Sequence, residues 1–173
     1  TQENKSFLKE ILPHFNKACV LDADALYHCA DKDISLPPKA ILTPHHGEMR
    51  RLLGEKDDEG LTPEFLQRCQ EYSSSYNVII VLKGGPTFIF FPNEPPHIIT
   101  HGSPGMATAG SGDILTGIIT SLLSQGMTPR SAALLGTYIH GRAGEYTAHR
   151  LTPYCMVASD ILSALPALFA EMM

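Results

Sequence analysis

The chain has 173 residues, 43% of them apolar, with 13 basic against 18 acidic side chains and a formal net charge of −5. That length fits one domain spanning residues 1–173 with a real core, and an acidic balance in which no Lys/Arg cluster resembles a backbone-binding stripe argues against a nucleic-acid surface, the Arg50-Arg51 pair reading as a solvated helix face. No apolar run approaches the roughly 20 residues of a membrane span, and the polar residues 1–5 are no signal peptide. The widely spaced Cys19, Cys29, Cys69 and Cys155 form no CxxC pair, which fits a reduced, cytoplasmic protein.

Helix and strand signals alternate along the chain. Residues 4–15 place Phe7, Leu8, Ile11 and Leu12 at helical spacing, with Pro13 marking an early end. Residues 18–21 read as a short buried strand running into Asp22 and Asp24; Asp24 is expected to cap the next element and Asp22 to face a site. Residues 40–43 make a second strand, stopping at Pro44-His45-His46-Gly47-Glu48, and a helix through Met49, Leu52 and Leu53 should end at Gly54. Thr62-Pro63-Glu64 offers a capping hydroxyl, a first-turn proline and early negative charge, so a helix starts there. It should carry Phe65, Leu66 and Cys69 inward and fade in Ser73-Ser74-Ser75.

The unbroken apolar run at 78–82 reads as a central strand covered on both faces, ending at Lys83-Gly84-Gly85-Pro86-Thr87. Residues 88–91 and 97–100 read as an antiparallel pair. Three helices close the chain, from 112 to about 125, 129 to about 150 and 158 to about 172, with Thr128-Pro129 and Ser159-Asp160 capping the last two.

This alternation predicts an α/β fold with a mostly parallel sheet. Polar or glycine-rich residues sit at the junctions: Asp22 and Asp24, His45 and Glu48, Lys83 to Thr87, and Gly110 to Asp113. Ligands of open parallel sheets bind beyond the carboxyl ends of the strands, so these junctions are expected to share one edge.

The richest segment is residues 102–113, GSPGMATAGSGD, which opens onto an apolar helix. Glycines let backbone amides approach an anion, and a helix start adds unpaired N–H groups and partial positive charge. An acid at that spot would repel a phosphate unless it handles a proton or orients a hydroxyl beside it. Asp113 is therefore the candidate for phosphoryl chemistry, with Gly110, Ser111 and Gly112 as the anion nest; the alternative is a glycine-rich turn with an ordinary first-turn acid. Lys83 to Thr87 could bind ribose or phosphate, or form a hairpin turn. The GxxxxGK[ST] spacing is absent, which excludes a P-loop. His45 and His46 are adjacent and lack the HExxH arrangement, which argues against zinc and for a histidine facing a polar substrate. His140 and His149 fall in a helical pattern and read as structural or solvent-facing.

Taken together, Val20 to Leu26 (VLDADAL), Leu42 to Glu48 (LTPHHGE), Val81 to Thr87 (VLKGGPT) and Gly105 to Gly117 (GMATAGSGDILTG) resemble the ADP-dependent NAD(P)H-hydrate dehydratases, a nicotinamide-repair branch of the ribokinase-like superfamily. The resemblance continues through Gly141 to Gly144 (GRAG) and Ala158 to Ile161 (ASDI), and covers nearly the whole chain. The family more often has Pro at His46, Gly at Ala109 and Thr at Ser111; these are small or loop-compatible changes. The resemblance implies a ribokinase-like three-layer α/β/α fold, with this chain as its carboxyl-terminal part, lacking the amino-terminal portion and any upstream epimerase domain.

It implies as well that hydrated NADH or NADPH (NADHX, NADPHX) loses water while ADP, or ATP, is consumed, with Mg²⁺ on the nucleotide. By resemblance, His45 and Asp113 contact the hydrate, Asp113 acts as the base, and Lys83, Gly84, Gly85, Pro86, Thr87, Gly110, Ser111 and Gly112 hold the nucleotide. A homo-oligomer, or association with the amino-terminal part, is expected. The alternatives are a sugar or vitamin-alcohol kinase of the same superfamily and a nucleotide-binding fragment without turnover.

Overall fold

A computed structural model describes residues 1–31, 33–55 and 60–172. The elements are α1 (Gln2–Ile11), β1 (Val20–Leu21), α2 (Asp24–Cys29), β2 (Ile41–Leu42), α3 (His46–Leu53), α4 (Pro63–Tyr76), β3 (Ile79–Leu82), β4 (Thr87–Phe90), β5 (His97–Ile99), α5 (Ser111–Ser124), α6 (Pro129–Leu151) and α7 (Ala158–Met172). The strands follow the order β1-β2-β3-β4-β5 in a mixed sheet. β1 and β2, and β2 and β3, pair in parallel, whereas β3 and β4 pair antiparallel with Ile80 opposite Phe90. The chain divides into two compact units, Thr1–Gly84 with Phe88–His97, and Gly85–Thr87 with Ile98–Met173.

In the first unit, Leu21, Leu42, Ile80, Leu82 and Phe90 of the sheet join Leu26, Cys29, Met49, Leu52, Phe65, Cys69 and Tyr72 of the helices in one core. Successive strand residues point to opposite faces. The intervening Ile41, Val81 and Ile89 are fully buried as well, so β3 is shielded on both faces and needs no polar alternation. The paired strands are shorter than their apolar runs, although ladder bonds continue past them: Thr43 N–H donates to Leu21 O at 3.1 Å and Ile79 N–H to Ala40 O at 3.0 Å.

α1 ends early, as Pro13 signals: it stops at Ile11 and a 3₁₀ turn, Leu12–His14, takes over, because Pro13 has no N–H and its ring crowds the carbonyl four residues back. Three local readings are corrected. Asp24 is the first residue of α2 and not its cap; Ala23 occupies the cap position at φ 49°. α4 does not fade in the serines but runs to Tyr76, where buried Ser73 donates its hydroxyl to Val78 O at 2.7 Å and Asn77 closes the helix in the left-handed region. Ser159 and Asp160 lie inside α7, and the Asp160 carboxylate accepts the Val157 N–H at 2.8 Å.

In the second unit, α5, α6 and α7 share a core of Ile118, Ile139, Ala143, Met156, Ile161, Ala164 and Leu168. α6 carries small residues where its neighbour comes close: a Cβ on Gly136 would stand 2.7 Å from Ile119 Cγ1. Among the described residues no helix is long and apolar enough to cross a membrane.

Candidate active site

Parallel pairing aligns the carboxyl ends of β1, β2 and β3, and the ladder continues one step beyond β2 and β3. His45 bridges Lys83, and the Lys83 N–H donates to Pro44 O at 2.8 Å. Residues far apart in the chain therefore emerge side by side. Lys83 Nζ donates to Asp22 Oδ1 at 2.8 Å and lies 3.9 Å from Glu48 Oε2. The Lys83, Asp22 and Glu48 side chains are only 21%, 11% and 14% exposed, so this cation is screened by water far less than a surface pair would be. Asp22 Oδ1 accepts the Ala23 N–H as well, at 2.9 Å, which fixes the carboxylate at the turn.

His45 caps α3. Its Nδ1 accepts from Gly47 N at 3.0 Å and from Glu48 N at 3.3 Å, and Glu48 Oε2 accepts the His45 N–H at 2.8 Å, closing a capping box. Nδ1 thus serves as an acceptor for the helix start, and Nε2, the ring's other nitrogen, lies 3.6 Å from Glu48 Oε2. The side chain is 61% exposed, and it offers a hydrogen-bond donor. His46 turns the other way, edge-on to Phe65 with ring centroids 6.3 Å apart. Beyond Lys83 and Gly84, the loop reaches Thr87 through a cis Gly85–Pro86 peptide; Gly85, Pro86 and Thr87 belong to the second unit.

In the second unit, Ser103 caps a 3₁₀ turn, Pro104–Met106, and Gly110 takes the cap position of α5 at φ 89°, a conformation glycine adopts without strain. Glycine has no side chain to cap with. Thr1, His45, Thr62 and Thr128 cap α1, α3, α4 and α6, but α5 starts with no side-chain cap. Ser111 N–H is used by Thr108 O at 3.2 Å. The amides of Gly112 and Asp113 have no acceptor among the described residues, leaving donors and a partial positive charge for an anion. Asp113 is exposed in this first turn, and its carboxylate has no hydrogen-bond or ion-pair partner among the described residues. Ser111 is buried, with its hydroxyl 3.3 Å from His140 Nε2. That contact gives His140 a structural task and directs Ser111 inward, whereas Gly112 is half-buried and Asp113 exposed.

His45, Lys83, Asp22 and Glu48 thus meet in the first unit, and Gly110, Ser111, Gly112 and Asp113 form one helix start in the second. Sequence reading missed the Lys83–Asp22 ion pair. It also missed Glu145, which accepts from His101 and Gly102; the spacing of Gly141 and Gly144 was the one signal pointing toward it.

The fold and this helix start define a ribokinase-like α/β protein. A crystal structure of a ribokinase-like superfamily protein from Enterococcus faecalis is similar, with TM-score 0.81 and 31% identity, covering 96% of this chain and 58% of that one. The chain belongs to the NAD(P)H-hydrate dehydratase family, whose family model matches residues 1–167. The ADP/ATP-dependent NAD(P)H-hydrate dehydratase of Bacillus subtilis, co-crystallised with ATP and Mg²⁺, has TM-score 0.83 and 27% identity over 100% of this chain and 61% of that one. The bifunctional NAD(P)H-hydrate repair enzyme Nnr of Moorella thermoacetica is 42% identical over 162 residues, 92% of this chain and 30% of that protein. The chain therefore spans about a third of the length of the curated relatives it matches.

Proposed function

We propose that the chain carries out the nucleotide-dependent dehydration of NADHX or NADPHX to NADH or NADPH. ADP is the proposed co-substrate, and AMP and phosphate the other products. The observation that carries this reading is the uncapped start of α5, with exposed Asp113 beside unpaired amides. Family membership supplies the substrate class.

Hydroxide leaves a ring carbon poorly and phosphate leaves well. Asp113 takes the proton of the hydrate's hydroxyl as that oxygen attacks the terminal phosphorus of ADP; the bond to the bridging oxygen breaks and AMP departs. The amides of Gly112 and Asp113 stabilise the charge on the transferred group. The ring nitrogen's lone pair then expels phosphate, and the neighbouring ring carbon releases a proton to restore the double bond. No electron is gained or lost overall.

His45 serves as a donor to the hydrate through Nε2. Lys83 to Thr87 and the Gly110 to Gly112 nest hold the nucleotide. Mg²⁺ bound with the nucleotide would supply charge neutralisation, held mostly by phosphate oxygens and water.

Asp113→Asn is expected to abolish turnover while ADP binding stays within about threefold, since asparagine keeps the shape and loses the base. Unchanged turnover removes Asp113 from the mechanism. Recovery of reduced-nicotinamide absorbance supports the dehydratase, and accumulation of a phosphorylated alcohol supports a kinase instead. Association with a second copy or a further polypeptide belongs to the same proposal, and the native mass of the purified material reads it.

A further inference from the structure

One side of α6 grips the glycine-rich segment at three places. At its start, Glu145 Oε1 accepts the Gly102 N–H at 3.1 Å, and both carboxylate oxygens lie 3.1 Å from His101 Nδ1. Arg142 Nε, 3.4 Å from Oε2, holds the carboxylate from behind, and Tyr138 sets its ring edge against His101 with centroids 5.1 Å apart. In its middle, Met106 lies over Gly144, where a Cβ would stand 2.7 Å from Met106 Cγ. At its end, His140 Nε2 meets the Ser111 hydroxyl. Gly141 lets the backbone of His101 come down on the helix: a Cβ there would lie 2.7 Å from the His101 carbonyl oxygen and 2.9 Å from its carbon. His140, Gly141, Gly144 and Glu145 share one helix face by their spacing.

We propose that Glu145 is a positioning residue: it fixes where the segment leaves β5 and thereby the approach to the open start of α5. The inference rests on the dehydratase reading for its effect on turnover, but not for its effect on the loop. Glu145 touches no reacting atom. It acts through the amide of Gly102 and the ring of His101, and Gly141 and Gly144 make room for the grip.

The test compares the unmodified chain with Glu145→Ala and Glu145→Gln by hydrogen exchange, by titration with ADP and Mg²⁺, and by NADPHX turnover. In Glu145→Ala, the hydrogen-bonded amides of the segment, Gly102, Met106, Ala107 and Ser111, are expected to exchange about tenfold faster while the interior of α6 keeps its protection. ADP affinity is expected to fall about tenfold, and kcat to fall with KM for the hydrate unchanged. Glu145→Gln keeps one oxygen for the Gly102 N–H and is expected to stay within about threefold of the unmodified chain in all three. If the alanine variant does not fold, Glu145→Asp, whose carboxylate is one methylene too short to reach the Gly102 N–H, carries the test: faster exchange confined to 102–112 supports the proposal, and unchanged exchange there or faster exchange spread through α6 overturns it. Unchanged loop exchange in the alanine variant overturns the proposal even when the unmodified chain turns over NADPHX. Faster loop exchange alongside an unmodified chain that neither binds ADP nor turns over sustains the positioning role and defeats the dehydratase reading alone.

Discussion

Gly105 and Gly117 belong to the same motif, yet an added methyl group meets different surroundings at each. At Gly105 it would overlap the Pro153 carbonyl oxygen and lie 2.8 Å from Met156 Cγ, whereas at Gly117 nothing stands within 4 Å. Backbone cannot yield as a flexible side chain does, so Gly105→Ala is expected to cost about 1–3 kcal/mol. Gly117 lies inside α5, where alanine is the better helix former, and Gly117→Ala should stabilise by about 1 kcal/mol. Urea denaturation of the two variants reads both signs; equal shifts in one direction would contradict this account. The motif was legible as glycine-rich, but these two tasks were not, because they depend on what packs against each position. The same limit applied to Lys83, which could be named as a ligand contact while Asp22, 61 residues away in the chain, remained invisible as its partner.

The starts of α4 and α6 were legible because their chemistry is local. Thr62 and Thr128 accept from the amides three residues on, Phe65 and Ser131, at 3.2 Å each, and proline follows each threonine. Thr62→Ala should lower stability by about 1 kcal/mol, seen as a lower urea midpoint with an unchanged slope; an unchanged midpoint would show that the cap contributes nothing. Helix ends and strand lengths were less legible. α4 continues through its serines because Ser73 finds the carbonyl of Val78, a partner on the following strand segment that intrinsic propensity does not include. α5 was expected near residue 112 and starts at Ser111; its missing cap shows only once the alternatives for those amides have been checked.

For the whole molecule, the thiols report on burial. Cys29 and Cys69 are buried, and desolvation, named first among the causes, pushes Cys29 up to about 11 and Cys69 to about 12. Burial raises Cys19 too, and Cys155 is exposed. An aromatic disulfide reagent should therefore label Cys155 rapidly, and Cys29 and Cys69 only after denaturation. Immediate labelling of all four would refute the packed core of the first unit. The sign for stability follows: thiols raised in the folded state contribute stability that is complete below their ordinary value of 9.0. That contribution is lost as pH climbs through about 11 and 12.

From its own chain order this sequence determined the α/β alternation, the threonine-capped starts of α4 and α6 and the glycine-rich segment with its acid, since each rests on neighbours within a few residues. It also carried the family's motifs in order. Tertiary structure alone decided that Lys83 pairs with Asp22, that His45 spends Nδ1 on its own helix with Nε2 3.6 Å from Glu48 Oε2, and that Glu145 holds Gly102 from 43 residues away. Those contacts depend on strand register and on clearance between packed elements, and neither is written in any short stretch of chain.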